Sequence, residues 1–183
     1  MRRGAVTRLW VGLGFLSLLG AGLAYAGTTR DAVAAASPQA FLASNARADG
    51  VVTTTSGLQY RVVRQGRGAK ATPADLALVN YRGKLLDGTV FDETPAGQRG
   101  TPMPVGGLIP GFVEALTLMS PGAKYEIWIP PQLAYGPEGT PGGPIPGDAV
   151  LNFDVELVEV APGAAAQGMF GPPPGGGGLP PGM

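Results

Sequence analysis

A chain of 183 residues has room for one domain of ordinary size, roughly 100 to 150 residues, plus tails. Its 13 basic residues offset 13 acidic ones, so no long-range field draws it to nucleic acid or to an anionic membrane surface. Cysteine and histidine are both absent, which excludes disulfides, thiolate nucleophiles, imidazole proton shuttles and sulfur- or imidazole-ligated metal sites. Carboxylates, hydroxyls and aromatic faces remain, a set better suited to binding and distorting a substrate than to acid-base bond cleavage.

The chain opens with Arg2, Arg3 and Arg8 ahead of an uncharged, largely apolar run from Leu9 to Ala26 that closes on Ala24-Tyr25-Ala26. This predicts a secretory signal over residues 1–26, cleaved after Ala26 by the general export route. An uncleaved membrane anchor is the alternative, since the run is nearly long enough to cross a bilayer. Residues 27–56 form an alanine-rich, mildly helical segment, with a short helix expected near Gln39–Arg47. From Leu58 the period becomes two. Leu58, Tyr60 and Val62 alternate with polar neighbours, Leu76–Leu86 is a second strand-like run, and Asp87-Gly88 is a hairpin-turn dipeptide before Thr89–Asp92.

Phe112, Ala115, Leu116 and Met119 instead recur at helical spacing behind Pro110, and Ser120-Pro121-Gly122 stops that helix. Two further strands follow, one with Tyr125, Ile127 and Ile129 on one face and Trp128 on the other, and one with Leu151, Phe153, Val155 and Leu157 opposite Asn152, Asp154 and Glu156. Between them, Pro130–Asp148 is too rich in proline and glycine for helix or central strand. Its Leu133, Tyr135 and Ile145 predict a packed binding loop. One helix against an antiparallel sheet makes an α+β domain over residues 57–160. Residues 161–183, with Pro172-Pro173-Pro174 and Gly175 to Gly178, have the composition of a disordered tail.

Several segments together carry a resemblance. They are Ser56-Gly57-Leu58-Gln59-Tyr60, Val79-Asn80-Tyr81-Arg82-Gly83, Leu86-Asp87-Gly88-Thr89-Val90-Phe91-Asp92, Leu108-Ile109-Pro110-Gly111-Phe112, Ile129-Pro130-Pro131-Gln132-Leu133-Ala134-Tyr135-Gly136 and Asn152-Phe153-Asp154-Val155-Glu156-Leu157. In order and spacing this set resembles the FKBP-type prolyl isomerases, and its first and fourth members are most similar to the bacterial exported subgroup that includes the macrophage infectivity potentiators. Those relatives often begin with a long helical dimerisation region. Only some 30 residues separate the expected cleavage site from the domain here, so dimerisation is not carried over.

The resemblance implies a five- or six-stranded antiparallel sheet half-wrapped around one short helix, with an apolar pocket between them that takes a prolyl ring. It assigns Tyr81, Asp92, Ile109 and Tyr135 to catalysis and Phe91, Met103, Leu108, Phe112, Ile145 and Phe153 to substrate binding. Phe112 stands where most members place a tryptophan at the pocket floor, and Met103 where an aromatic is usual. An extra residue near Gly143-Pro144 shifts the loop before Ile145. Proline-containing unfolded or partly folded exported proteins are the implied partners, macrolides such as rapamycin or tacrolimus the implied ligands, and neither metal nor cofactor is expected. Taken singly, Phe91, Leu108, Ile109, Phe112 and Phe153 read as core residues before they read as a site; it is their shared register that points to a pocket. The runner-up function is a periplasmic chaperone or peptide-binding module with incidental isomerase activity.

Overall fold

The computed structural model describes residues 37–164. The expected signal at residues 1–26 and the Gly/Pro-rich tail from residue 165 onward lie outside the described residues.

Strands β1 (Val51–Thr53), β2 (Gln59–Arg64), β3 (Leu76–Lys84), β4 (Val90–Glu93), β5 (Thr101–Pro104), β6 (Lys124–Ile129) and β7 (Leu151–Ala161) form one antiparallel sheet. The order is β1-β2-β6-β7-β3-β4, with β5 beside the first half of β3. The α+β class and the half-wrapped sheet are as expected, but the described residues form seven strands instead of five or six. The additional pairing of β1 with β2 spans three residues, too few for an alternation to register in sequence.

β7 shows why the sheet has two unlike faces. Leu151, Phe153, Val155 and Leu157 are buried, while the residues between them are only partly so. Pairing with β3 on one side and β6 on the other makes this strand the spine of the core. Helix α2 (Pro110–Leu118) lies on the inner face and buries Gly111, Phe112, Ala115 and Leu116. It packs close because residue 111 is glycine: a Cβ there would come within 2.4 Å of Ile129 Cγ2.

The outer face carries ion pairs from strand to strand, Arg61–Glu126, Arg64–Glu156, Arg82–Glu93 and Lys84–Asp154. Trp128 faces this side as expected and is nonetheless only 7% exposed, with the Arg61 guanidinium 5.8 Å from its ring centre.

A helix α1 (Pro38–Asn45) precedes the sheet, close to the expected Gln39–Arg47. Ser37 caps it, its Oγ accepting from the Ala40 N–H at 3.2 Å, and Pro38 occupies the first turn. The helix buries none of its own residues. A clasp from the sheet holds it: Gln59, 3% exposed, donates to the Leu42 carbonyl at 2.8 Å and accepts from Asn45 Nδ2 at 2.9 Å.

The long Pro130–Asp148 connection is a packed loop, as expected, opened by a 3-10 turn at Pro131–Leu133. Its far end closes on Thr140, whose N–H donates to the Ile145 carbonyl at 2.9 Å and whose Oγ1 accepts from the Ile145 N–H at 3.1 Å. Among the described residues, no helix is long and apolar enough to cross a membrane.

Candidate functional site

An apolar cleft opens between the inner face of the sheet and α2. It is lined by Tyr81, Phe91, Asp92, Met103, Leu108, Ile109, Phe112 and Phe153. Five elements converge on it. β3 brings Tyr81, β4 brings Phe91 and Asp92, β5 brings Met103, α2 brings Phe112 and β7 brings Phe153. Leu108 and Ile109 arrive on the segment that enters α2.

Three phenylalanines form the base by edge-to-face contacts. Phe112 and Phe153 have ring centres 5.1 Å apart at 78°, Phe91 and Phe153 5.4 Å apart at 89°, and Tyr81 meets the edge of Phe112 at 6.4 Å. This geometry sets positive ring edges against negative ring faces and holds the rings at fixed angles. Phe112 is 4% exposed and Phe153 3%, so both are core residues as well as cleft walls.

The cleft has one charge. Asp92 Oδ2 accepts a hydrogen bond from the Tyr81 hydroxyl at 2.8 Å. Burial first, then that bond and the negative charge of Asp92, push the Tyr81 phenol well above its ordinary range. Tyr81 is itself held by Thr94, whose Oγ1 accepts from the Tyr81 N–H at 3.1 Å and whose N–H donates to the Tyr81 carbonyl at 2.9 Å.

The two remaining residues of the expected set lie on the Pro130–Asp148 loop and fall outside the eight that line the cleft. Ile145 is 3% exposed and packs into the core. The Tyr135 hydroxyl is buried and has no hydrogen-bond partner among the described residues. Burial, with Asp92 adding to it, pushes this phenol up to about 12. A buried hydroxyl without a partner costs about 1–3 kcal/mol. The Ile109 carbonyl accepts from the Phe112 and Val113 N–H groups at the start of α2, while the Ile109 N–H donates to nothing among the described residues.

Gly83 has no assigned role from sequence, yet it shapes the cleft. It pairs with Asp92 on one side and Phe153 on the other, and a Cβ there would lie 2.6 Å from both the Phe153 and Phe91 rings. A glycine inside a strand pattern signals such a close approach. Chemically, the cleft offers an apolar floor, one carboxylate locked to a phenol and an Ile109 N–H without a partner among the described residues, while the Tyr135 hydroxyl lies on the Pro130–Asp148 loop outside the lining. It suits a ligand that is mostly apolar and carries carbonyls.

A family model described as FKBP-type peptidyl-prolyl cis-trans isomerase matches residues 68–158, and one described as the domain amino terminal to that isomerase matches residues 24–62. The FKBP-type 22 kDa peptidyl-prolyl cis-trans isomerase of Escherichia coli K12 is 50% identical over 120 residues, which are 66% of this chain and 58% of that protein. The crystal structure of FkpA from Escherichia coli is similar with a TM-score of 0.65 at 39% identity, covering 69% of this chain and 58% of that one. That of a peptidyl-prolyl cis-trans isomerase from Pseudomonas syringae pv. tomato DC3000 has a TM-score of 0.63 at 31% identity, covering 74% of this chain and 97% of that one. The chain therefore spans under two thirds of the two Escherichia coli proteins and nearly all of the third.

Proposed function

Because the chain belongs to the FKBP-type peptidyl-prolyl cis-trans isomerase family, we propose that it accelerates rotation about X-Pro bonds in exported proteins during folding, and that the cleft between sheet and α2 is where it does so. The observation that supports this reading best is the apolar box of Phe91, Phe112 and Phe153 with the Tyr81-held carboxylate of Asp92 at its edge.

Amide rotation faces a barrier of about 18–20 kcal/mol, because the twisted state loses the resonance between nitrogen and carbonyl. Once that resonance is lost the amide is less dipolar than either planar form. A cleft without water therefore favours the twisted state over both ends of the reaction, which is the differential binding catalysis requires. A millionfold acceleration needs about 8 kcal/mol of it. In this reading the prolyl ring rests on Phe112 with Phe91, Phe153 and Ile109 around it. The Ile109 N–H and the Tyr135 hydroxyl take the flanking carbonyls, fixing the chain on either side of the rotating bond. Asp92, held by Tyr81, acts through its field at the rotating carbonyl, with no proton transferred and no covalent intermediate. Met103 and Leu108 close the apolar wall, and Ile145 backs the loop that carries Tyr135.

The test is cis-trans exchange in a short X-Pro peptide, read by NMR with and without the protein. Because Phe112 is also core, Phe112→Leu is the informative variant. It should stay folded and lose about tenfold or more in kcat/KM, equivalent to 1.36 kcal/mol of transition-state stabilisation. Exchange no faster with the protein than without it refutes the proposal. Aggregation suppression by a protein without isomerase activity would favour the peptide-binding module. Rapamycin is proposed to compete for the same cleft. The basic residues and apolar run of residues 1–26 support a periplasmic location, and the mass of the mature N-terminus tests it.

A further inference from the structure

The polypeptide leaves the sheet beside the cleft. In the strand register Ala77 of β3 faces Val160 of β7 on one side and Met103 of β5 on the other. The end of β7 thus lies two strand spacings, about 10 Å, from a residue of the cleft wall. The chain is pinned at that place. The Gly163 N–H donates to Asp75 Oδ1 at 2.9 Å, and the Asp75 carbonyl accepts from the Val105 N–H at 3.0 Å, where the turn leading to Leu108 and Ile109 begins.

The sequence beyond this root contains Gly171-Pro172-Pro173-Pro174 and Leu179-Pro180-Pro181. Residues 165–183 carry no charged side chain, so their entry into an apolar cleft desolvates no side-chain ion. Among their X-Pro bonds, Leu179-Pro180 alone places a large apolar side chain before the proline, the chemistry that Met103, Leu108 and the three phenylalanines can bury. Leu179 is about sixteen residues beyond Gly163, and a chain of that length reaches up to about 50 Å, several times the distance from the root to Met103.

We propose that Leu179-Pro180 occupies the cleft in cis, as a tethered competitor of other substrates. This rests on the reading of the cleft as an X-Pro site. Tethering presents the bond at an effective concentration on the order of millimolar. Free substrates that bind in that range then compete with it, while tighter ones displace it.

The experiment compares the full chain with a full-length variant carrying Leu179→Gly, Pro180→Ala and Pro181→Ala. The readouts are amide chemical shifts at Phe91, Met103 and Ile109, and the kinetics of a short X-Pro peptide. The expected result is a shift difference confined to the cleft and unchanged on dilution. The variant should also show a KM lower by about twofold or more with kcat unchanged. Identical cleft shifts in the two proteins, differences on the outer sheet face instead, or differences that vanish on dilution because the tail comes from a second copy, each overturn the proposal. If both proteins are inactive on the peptide while the cleft shifts still differ, tail docking stands and the isomerase reading fails. If both are equally active with identical cleft shifts, the reverse holds.

Discussion

Two single atoms put the proposed role of this cleft to the test. The missing Cβ of Gly83 lets the rings of Phe91 and Phe153 meet over β3, and a methyl group there would overlap both at 2.6 Å. Gly83→Ala should therefore destabilise the fold by about 1–3 kcal/mol through overpacking and lower kcat/KM, because the rings that splay are those under the prolyl group. Urea unfolding and peptide kinetics on one preparation check both effects. The Tyr135 hydroxyl separates stability from function in the opposite way. It is buried without a partner among the described residues, so Tyr135→Phe removes an unsatisfied group and should leave stability unchanged or raised. Activity should fall, since in the proposed role this hydroxyl donates to a substrate carbonyl. A variant less active and no less stable marks a residue kept for binding; a variant less stable with full activity refutes the role. Both tyrosines of the site are held protonated well above neutrality, and the chain has no histidine. With respect to these groups, kcat/KM should stay flat from about pH 6 to about pH 10, the ordinary phenol value. A bell-shaped profile centred near neutrality would point to a proton transfer that the proposed mechanism does not contain.

At the level of elements, legibility in the sequence followed burial on one face. β7 and β6 were readable because alternate side chains enter one core, and α2 because four residues at helical spacing share one stripe. β1 was not, since three residues with no fully buried side chain leave no period to detect. The eight residues that line the cleft all belong to the set the family resemblance assigned, and all but Met103 sit in the quoted motifs, on strands or at a helix start with a fixed register. Tyr135, which a motif also carries, and Ile145, which none does, lie on the proline- and glycine-rich loop, and there the correspondence with the cleft lining stops. The attachment of α1 was equally hidden. It depends on a glutamine in a strand, a residue that reads as solvated until a partner covers it. Gln59→Leu keeps the volume but deletes the bonds to Leu42 and Asn45. It should raise hydrogen exchange across Pro38–Asn45 while leaving exchange in β7 and peptide kinetics unchanged. Protection lost equally in helix and sheet would mean that α1 is part of the cooperative core.

For the molecule as a whole, the ion pairs on the outer face are partly exposed and contribute little each, so the acid limb of stability should be governed by a more sheltered carboxylate. Asp75 is 6% exposed and closes the chain on itself: its side chain accepts from the Gly163 N–H after the last strand and from the Thr72 N–H before the central one. The bond from Gly163 is the main cause that holds this carboxyl below its ordinary value; burial opposes it, and the bonds from Thr72 add to it. The folded state therefore binds a proton at Asp75 less readily than the unfolded chain does. Its contribution to stability is fully present above the unfolded value of about 3.9 and is lost as pH falls through the lower folded value. Asp75→Ala leaves two N–H groups without their acceptor and should cost about 1–3 kcal/mol at neutral pH. Asp75→Asn, which cannot ionise and keeps an acceptor for only one of the two N–H groups, should flatten the acid limb at a comparable cost at neutral pH. Denaturant unfolding of the three proteins at pH 7 and at stepped values below pH 4 separates the two effects. If the Asn variant loses stability on acidification as steeply as the parent, some other carboxylate controls the acid limb, and the tie between the start of β3 and the end of β7 is structural without being the pH-sensitive one.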